Sequence, residues 1–230
     1  VAKATGVPIA KIAALVMVGN KLSSFKLKKI HPKYVAIKES VFPFSKFPGS
    51  DVILGPEMKS TGEGMGIDTT FGKAFAKSQL SAGVTIPLKG NVLVSVKNSD
   101  KEIVRGYIQD LSQIGFKIYA TKGTANFLQV MGLNCKTIKK VKEGSPNIVD
   151  YMDEGKINLI FNTTEGSKAI RDSFTLRRSA INNKIPYYTT TAGAKAVVEA
   201  IKAIIKKELD VCSLQKFFKK EKLGNFIKLG

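Results

Sequence analysis

Two short runs of small and hydroxyl-bearing residues carry the clearest chemistry in this chain. Thr121-Lys122-Gly123-Thr124 and Asn162-Thr163-Thr164-Glu165-Gly166 each follow an apolar run and precede a stretch with helical spacing. Hydroxyls and free backbone amides at the start of a helix form a cradle for anions, phosphate above all. Lys139, Lys140 and Lys142 follow a third apolar run, and Lys101 opens the segment after the first. A single such loop reads most simply as a helix cap, the commonest role of Thr and Asn. Two loops converging with several ammonium groups point to a phosphate site.

Convergence requires a scaffold, and the second half of the chain supplies one. Short apolar strands are expected at 91–96, 116–120, 135–141, 157–161 and 186–189. Helical spacing alternates with them at 101–114, 125–131, 148–153, 167–182 and 192–207. Strand–helix alternation with short loops predicts a Rossmann-like α/β fold, a five-stranded parallel sheet with flanking helices. Ligands of such sheets bind beyond the carboxyl ends of the strands, where both loops fall.

The first third is mixed. Helical spacing is expected over 10–18, closed by Gly19-Asn20, and a strand over 34–44, broken by Pro43, Pro48 and Gly49. Thr69 can cap a helix over 70–80, and 82–90 reads as a linker. The run from Gly55 to Gly66, GPEMKSTGEGMG, has four glycines and no hydrophobic periodicity. Such a segment serves a close backbone approach or a tightly specified turn.

The bulk composition excludes several function classes. A hydrophobic content of 43% and a charged content of 24% describe a soluble globular protein, and no apolar run approaches the roughly 18 residues of a membrane span. Cys135 and Cys212 have no CxxC partner, so free buried thiols in a reducing cytoplasm are expected rather than a disulfide framework or zinc site. His31 is the only histidine, in a turn before Pro32, which leaves little room for Ser-His-Asp or Cys-His catalysis. The net charge of +19 suggests nucleic acid, yet of the 37 basic residues only Arg105, Arg171, Arg177 and Arg178 are arginine. Scattered lysines predict nonspecific polyanion binding at low salt and nothing more specific. The start at Val1 suggests a fragment of something longer.

The stretch VFPFSKFPGSDVILGPEMKSTGEGMG from Val41 resembles the end of the ATP-grasp domain in the large subunit of carbamoyl phosphate synthetase. The blocks GFKIYATKGTANFL, KKVKEGSPNI, FNTTEGSKAIRDSFTLRRSAI and PYYTTTAGAKA are similar to the methylglyoxal-synthase-like regulatory domain that closes that subunit. The resemblance implies an α+β tail of an ATP-grasp domain over 1–82, followed over 83–230 by the allosteric domain and a basic tail. That regulatory domain binds UMP and IMP. Carried over, Lys101, Thr121, Thr124 and Lys140 would hold the phosphate, and Asn162, Thr164 and Ser173 would line the rest of the pocket. An ornithine site would lie between the domains, with Glu39 on the ammonium group and Tyr187 and Thr189 across from it. Where the family carries an Asp between the last two, this chain has Tyr188.

The family's ATP and magnesium ligands precede the segment with which this chain opens, so the resemblance implies a ligase whose piece here does not turn over ATP alone. The full-length reaction would join bicarbonate, glutamine-derived ammonia and ATP into carbamoyl phosphate for arginine and pyrimidine synthesis, with a small glutamine amidotransferase subunit as partner. Methylglyoxal synthase shares the regulatory fold, but its carboxylate after the fourth strand is replaced by Asn162-Thr163-Thr164 and its histidine has no counterpart. A stand-alone nucleotide sensor would fit the same cradles, and a basic interaction protein would fit the charge.

Overall fold

A computed structural model of the chain describes residues 1–27, 33–41 and 62–220. His31, most of the Gly55–Gly66 run and the end of the basic tail lie outside them. Helices α1 (Ala2–Thr5) and α2 (Ile9–Met17) lead to strand β1 (Val35–Val41). β1 pairs antiparallel with β2 (Gly62–Asp68), and helix α3 (Phe71–Ser81) lies against both.

The glycines explain how closely α3 lies on β2. A Cβ on Gly66 would stand 1.9 Å from the carbonyl oxygen of Ala74, and one on Gly64 would stand 2.3 Å from Ser81 Oγ. Strand and helix therefore meet backbone to backbone, which only glycine allows. The expected close approach is real, and its setting is a strand rather than a turn. On its other side α3 touches the C-terminal unit just as closely: a Cβ on Gly72 would stand 2.5 Å from the Glu199 carbonyl oxygen.

The C-terminal unit is the expected parallel sheet. Its strands are β3 (Asn91–Ser95), β4 (Lys117–Thr121), β5 (Lys136–Ile138), β6 (Leu159–Asn162) and β7 (Tyr187–Tyr188), in the order β5-β4-β3-β6-β7. Every neighbouring pair is parallel. The helices are α4 (Lys101–Ile114), α5 (Lys122–Val130), α6 (Ile148–Asp153), α7 (Gly166–Asp172), α8 (Phe174–Asn182) and α9 (Thr191–Lys206). The strands alternate in facing, as a pleat requires. Val92, Val94, Ile118, Ala120, Leu159 and Phe161 pack under α4, α5 and α9, whereas Leu93 and Ile160 pack under α6 and α8. A last helix, α10 (Leu214–Lys220), brings Phe217 edge-on to Tyr34, with ring centroids 5.0 Å apart.

Two differences from the sequence expectation bear on the site. Helix α5 begins at Lys122, directly after Thr121, so no loop separates strand from helix. The helix expected over 167–182 is two helices that break at Ser173, whose φ −92°, ψ 3° leave the helical region. Its hydroxyl donates back to the Ile170 carbonyl at 3.1 Å, and the Arg177 guanidinium donates to the same carbonyl at 2.9 Å. Side-chain competition for a helix carbonyl is a known cause of such breaks.

Candidate effector site

The carboxyl ends of β3, β4 and β6 face one cavity of about 510 Å³. Strand order reverses there, since β4 lies on one side of β3 and β6 on the other, so the loops leave in opposite directions and open a crevice. All seven residues assigned to the nucleotide (Lys101, Thr121, Thr124, Lys140, Asn162, Thr164 and Ser173) line it, and Lys139 does not.

The polar groups are arranged for an anion. Thr121 and Thr124, 4% and 2% exposed, do not cap α5 with their side chains. Thr121 Oγ1 donates to Ser95 Oγ at 3.2 Å, and Thr124 Oγ1 accepts from the Val96 backbone N–H at 3.3 Å. The first-turn amides of α5 thus keep their donors for a ligand, at the positive end of the helix dipole. Lys101 Nζ donates to the Gly123 carbonyl at 2.7 Å, which holds the ammonium beside those amides. A Cβ on Gly123 would meet only that Nζ, at 3.7 Å, so the glycine leaves open space beside the lysine.

Lys140 closes the opposite wall from the end of β5. Its backbone N–H donates to Glu143 at 2.8 Å while its side chain is exposed. Lys142 pairs with Asp172 at 2.5 Å across the mouth. Asn162 is 4% exposed, and its amide donates to the Tyr187 hydroxyl. Ser173 accepts from the Arg177 guanidinium at 2.5 Å. Sequence reasoning missed Lys97, which lies two residues beyond β3 and whose backbone N–H donates to Thr163 Oγ1 at 3.1 Å. It also missed the Lys142–Asp172 pair, which sequence separation hides.

The three residues assigned to ornithine are not brought together by their side chains. Tyr187 joins the α6–α8 face of the sheet, with its hydroxyl on Asn162, and Thr189 is exposed beyond the strand. Glu39 lies on the other side of the sheet, beside Tyr188. The Tyr188 hydroxyl donates to Gln79 Oε1 at 3.1 Å, and the Gln79 side chain hydrogen-bonds Glu39. Burial pushes the Glu39 carboxyl up, only partly offset by the Gln79 bond. Burial, followed by the nearby Glu39 charge, pushes the Tyr188 phenol up strongly.

Among the described residues no group of three or more His, Cys, Asp or Glu side chains could hold a metal ion. Of the two thiols, Cys135 is buried and Cys212 is exposed, so the expectation of burial fails for the second. No described helix is long and apolar enough to cross a membrane.

Residues 104–189 match the MGS-like domain family. The carbamoyl phosphate synthase large chain of Rhizobium meliloti (strain 1021) is 52% identical over 224 residues, 95% of this chain and 19% of the relative. The C-terminal section of the carbamoyl phosphate synthase large chain of Methanocaldococcus jannaschii is 46% identical over 226 residues, 93% of this chain and 37% of that section. The crystal structure of methylglyoxal synthase from Elizabethkingia anophelis NUHP1 covers 49% of this chain and 79% of its own, with 14% identity and a TM-score of 0.41. The chain spans 19% of the length of the first of these relatives. Over nearly all of its own length this chain is a homologue of a section of the carbamoyl phosphate synthase large chain, and it carries an MGS-like domain.

Proposed function

We propose that this chain is the effector-sensing end of a carbamoyl phosphate synthase large chain and that its cavity binds a nucleoside monophosphate, UMP or IMP. The observation that carries this reading is that one cavity, at the strand-order reversal, has all seven residues assigned to the nucleotide in its lining. The phosphate lies on the α5 amides between Lys101 and Lys140, with the hydroxyls of Thr121 and Thr124 behind it. Asn162, Thr164 and Ser173 face the sugar and base. A phosphate dianion suits two ammonium groups and a helix N-terminus, which together offset the cost of taking it out of water.

The full-length protein, on this reading, is a cytoplasmic ATP- and magnesium-dependent ligase. It makes carbamoyl phosphate from bicarbonate and ammonia released by a small amidotransferase subunit, for arginine and pyrimidine synthesis. This chain supplies regulation and no turnover of its own. Glu39, Tyr187 and Thr189 remain the proposed ornithine contacts. Tyr187 would reach that ligand through the backbone of β7, given the direction of its side chain, and Thr189 from just beyond the strand.

Calorimetric titration of UMP at physiological salt, with Lys140→Ala beside the unaltered chain, tests the reading. We expect saturable binding that weakens about tenfold or more when the ammonium group is lost, in the range of one charge-assisted contact. Absent binding, or binding that ignores the substitution and vanishes in salt, would reduce the basic surface to a polyanion binder.

A further inference from the structure

Strand β7 is two residues long, and its two side chains face opposite sides of the sheet. Tyr187 accepts from the amide of Asn162, a buried residue of the cavity wall. Tyr188 packs edge-on to Phe161, with centroids 6.3 Å apart, and donates to Gln79 Oε1 at 3.1 Å. Gln79 is 5% exposed on α3, and its side chain bonds Glu39 on β1. Two hydrogen-bonded arms, joined through the sheet by the backbone of β7, therefore connect the cavity wall to α3 and the N-terminal hairpin. Their members, at positions 162, 187, 188, 79 and 39, are widely scattered in the chain.

We propose that the Tyr187–Tyr188 pair couples the cavity to the N-terminal hairpin. The inference rests on the nucleotide reading for what fills the cavity, and on geometry alone for the path. A ligand acceptor that draws the Asn162 amide toward the cavity removes the donor from the Tyr187 hydroxyl. The side chain then shifts, and the backbone of β7 shifts with it, because the strand is held by only two register pairs, Ile160 with Tyr187 and Phe161 with Tyr188. Tyr188 cannot stay in place while its neighbour moves, since adjacent residues of a strand are rigidly opposed across it. Its hydroxyl leaves Gln79, whose amide is then released from its present geometry on Glu39. The reverse also holds: anything that changes the charge or contacts of Glu39 biases Asn162, as linkage requires.

Two measurements decide the matter. The first needs no nucleotide: amide hydrogen exchange on the unaltered chain, Tyr187→Phe and Tyr188→Phe, each of which keeps its ring and loses one hydroxyl. Coupling predicts that Tyr187→Phe speeds exchange in 35–41 and 71–81 by about threefold or more, and that Tyr188→Phe does so in 159–166. Changes confined to the substituted side of the sheet would overturn the proposal. The second is UMP titration of Gln79→Ala, which lies outside the cavity. The dissociation constant should move about three- to tenfold, in the range of distal coupling energies. An affinity within twofold of the unaltered chain would overturn the proposal. If the unaltered chain takes up no UMP, the nucleotide reading fails, and hydrogen exchange alone rules on the coupling.

Discussion

The N-terminal hairpin unit and the C-terminal sheet are held together by opposite means. In the hairpin unit three of the seven residues of β2 are glycine, and Gly64 and Gly66 let the backbone of α3 lie directly on the strand. Little apolar side-chain surface is available there to offset ordering entropy. In the sheet Val92, Leu93 and Val94 are fully buried, with apolar helices on both faces. Its stability comes from side-chain area, and it can leave one edge polar and open. The described elements of the first unit meet at backbone distance, whereas the second, with its surplus of buried area, carries the cavity at its carboxyl edge. Fit governs the first region, and burial governs the second.

The sharpest way to break that contrast is a single methyl group. In Gly66→Ala the new Cβ stands 1.9 Å from the Ala74 carbonyl and 2.4 Å from the Ser78 amide nitrogen, both rigid backbone atoms. Helix and strand must separate, at a cost of about 3 kcal/mol in the hairpin unit, the upper part of the overpacking range. Urea unfolding with hydrogen exchange over 62–81 reads the loss, and 91–162 should stay protected. A loss below about 1 kcal/mol would mean that the contact is more forgiving than its distances imply.

The same methyl group in the sheet unit gives the opposite result. Gly123 sits in the first turn of α5 with only Lys101 Nζ near its missing Cβ, at 3.7 Å. Gly123→Ala should stabilise the fold by about 0.5–1 kcal/mol, the ordinary gain from alanine in a helix. On the proposed function, UMP affinity should nonetheless fall roughly tenfold, because the methyl would fill the space proposed for the phosphate against the α5 amides. Stability and binding thus move in opposite directions at one position. If both rise or both fall, this glycine serves the helix and not the ligand.

Those two glycines also show what the sequence could reveal. Around Gly123, strand and helix periods are plain on both sides, so the residues of the cavity can be assembled from the rule that parallel sheets bind ligands at their carboxyl edge. Helix α4, expected over 101–114, spans Lys101–Ile114 and ends on Gly115 at φ 105°. Around Gly66 no period exists to read, since GEGMG becomes a strand through its pairing with β1 and its glycines serve the approach of α3. The break at Ser173 is hidden for a related reason. The helical pattern runs through it without interruption, and the break comes from hydrogen bonds to the Ile170 carbonyl that spacing does not encode. The Glu39–Gln79–Tyr188 chain is least legible of all, because residues 109 positions apart meet only once the two units have docked.

The finest test of the contrast is acid titration, because one carboxylate of the hairpin unit helps it at neutral pH and another does not. Burial pushes Asp68 up, but the hydrogen bonds and charge of Lys77, at 2.7 Å, and the bonds from Thr69 outweigh it and hold the group below its usual range. A depressed folded value means stability present above the unfolded pKa, near 4, and lost as pH falls through the folded one. Glu39 is raised by burial, so its sign is reversed. The protonated acid suits the fold, and its contribution is complete below the unfolded value, a little above 4, and is lost as pH rises through the folded one. Urea midpoints of Asp68→Asn and Glu39→Gln across about pH 3 to 7 separate the two. Asp68→Asn should lose stability relative to the unaltered chain at neutral pH, with the gap closing in acid. Glu39→Gln, which keeps the shape without the charge, should match the unaltered chain in acid and gain on it as pH rises. Parallel curves for the Glu39 variant would mean that its carboxylate is as well solvated in the fold as out of it, and that the junction between the two units is wetter than its packing implies.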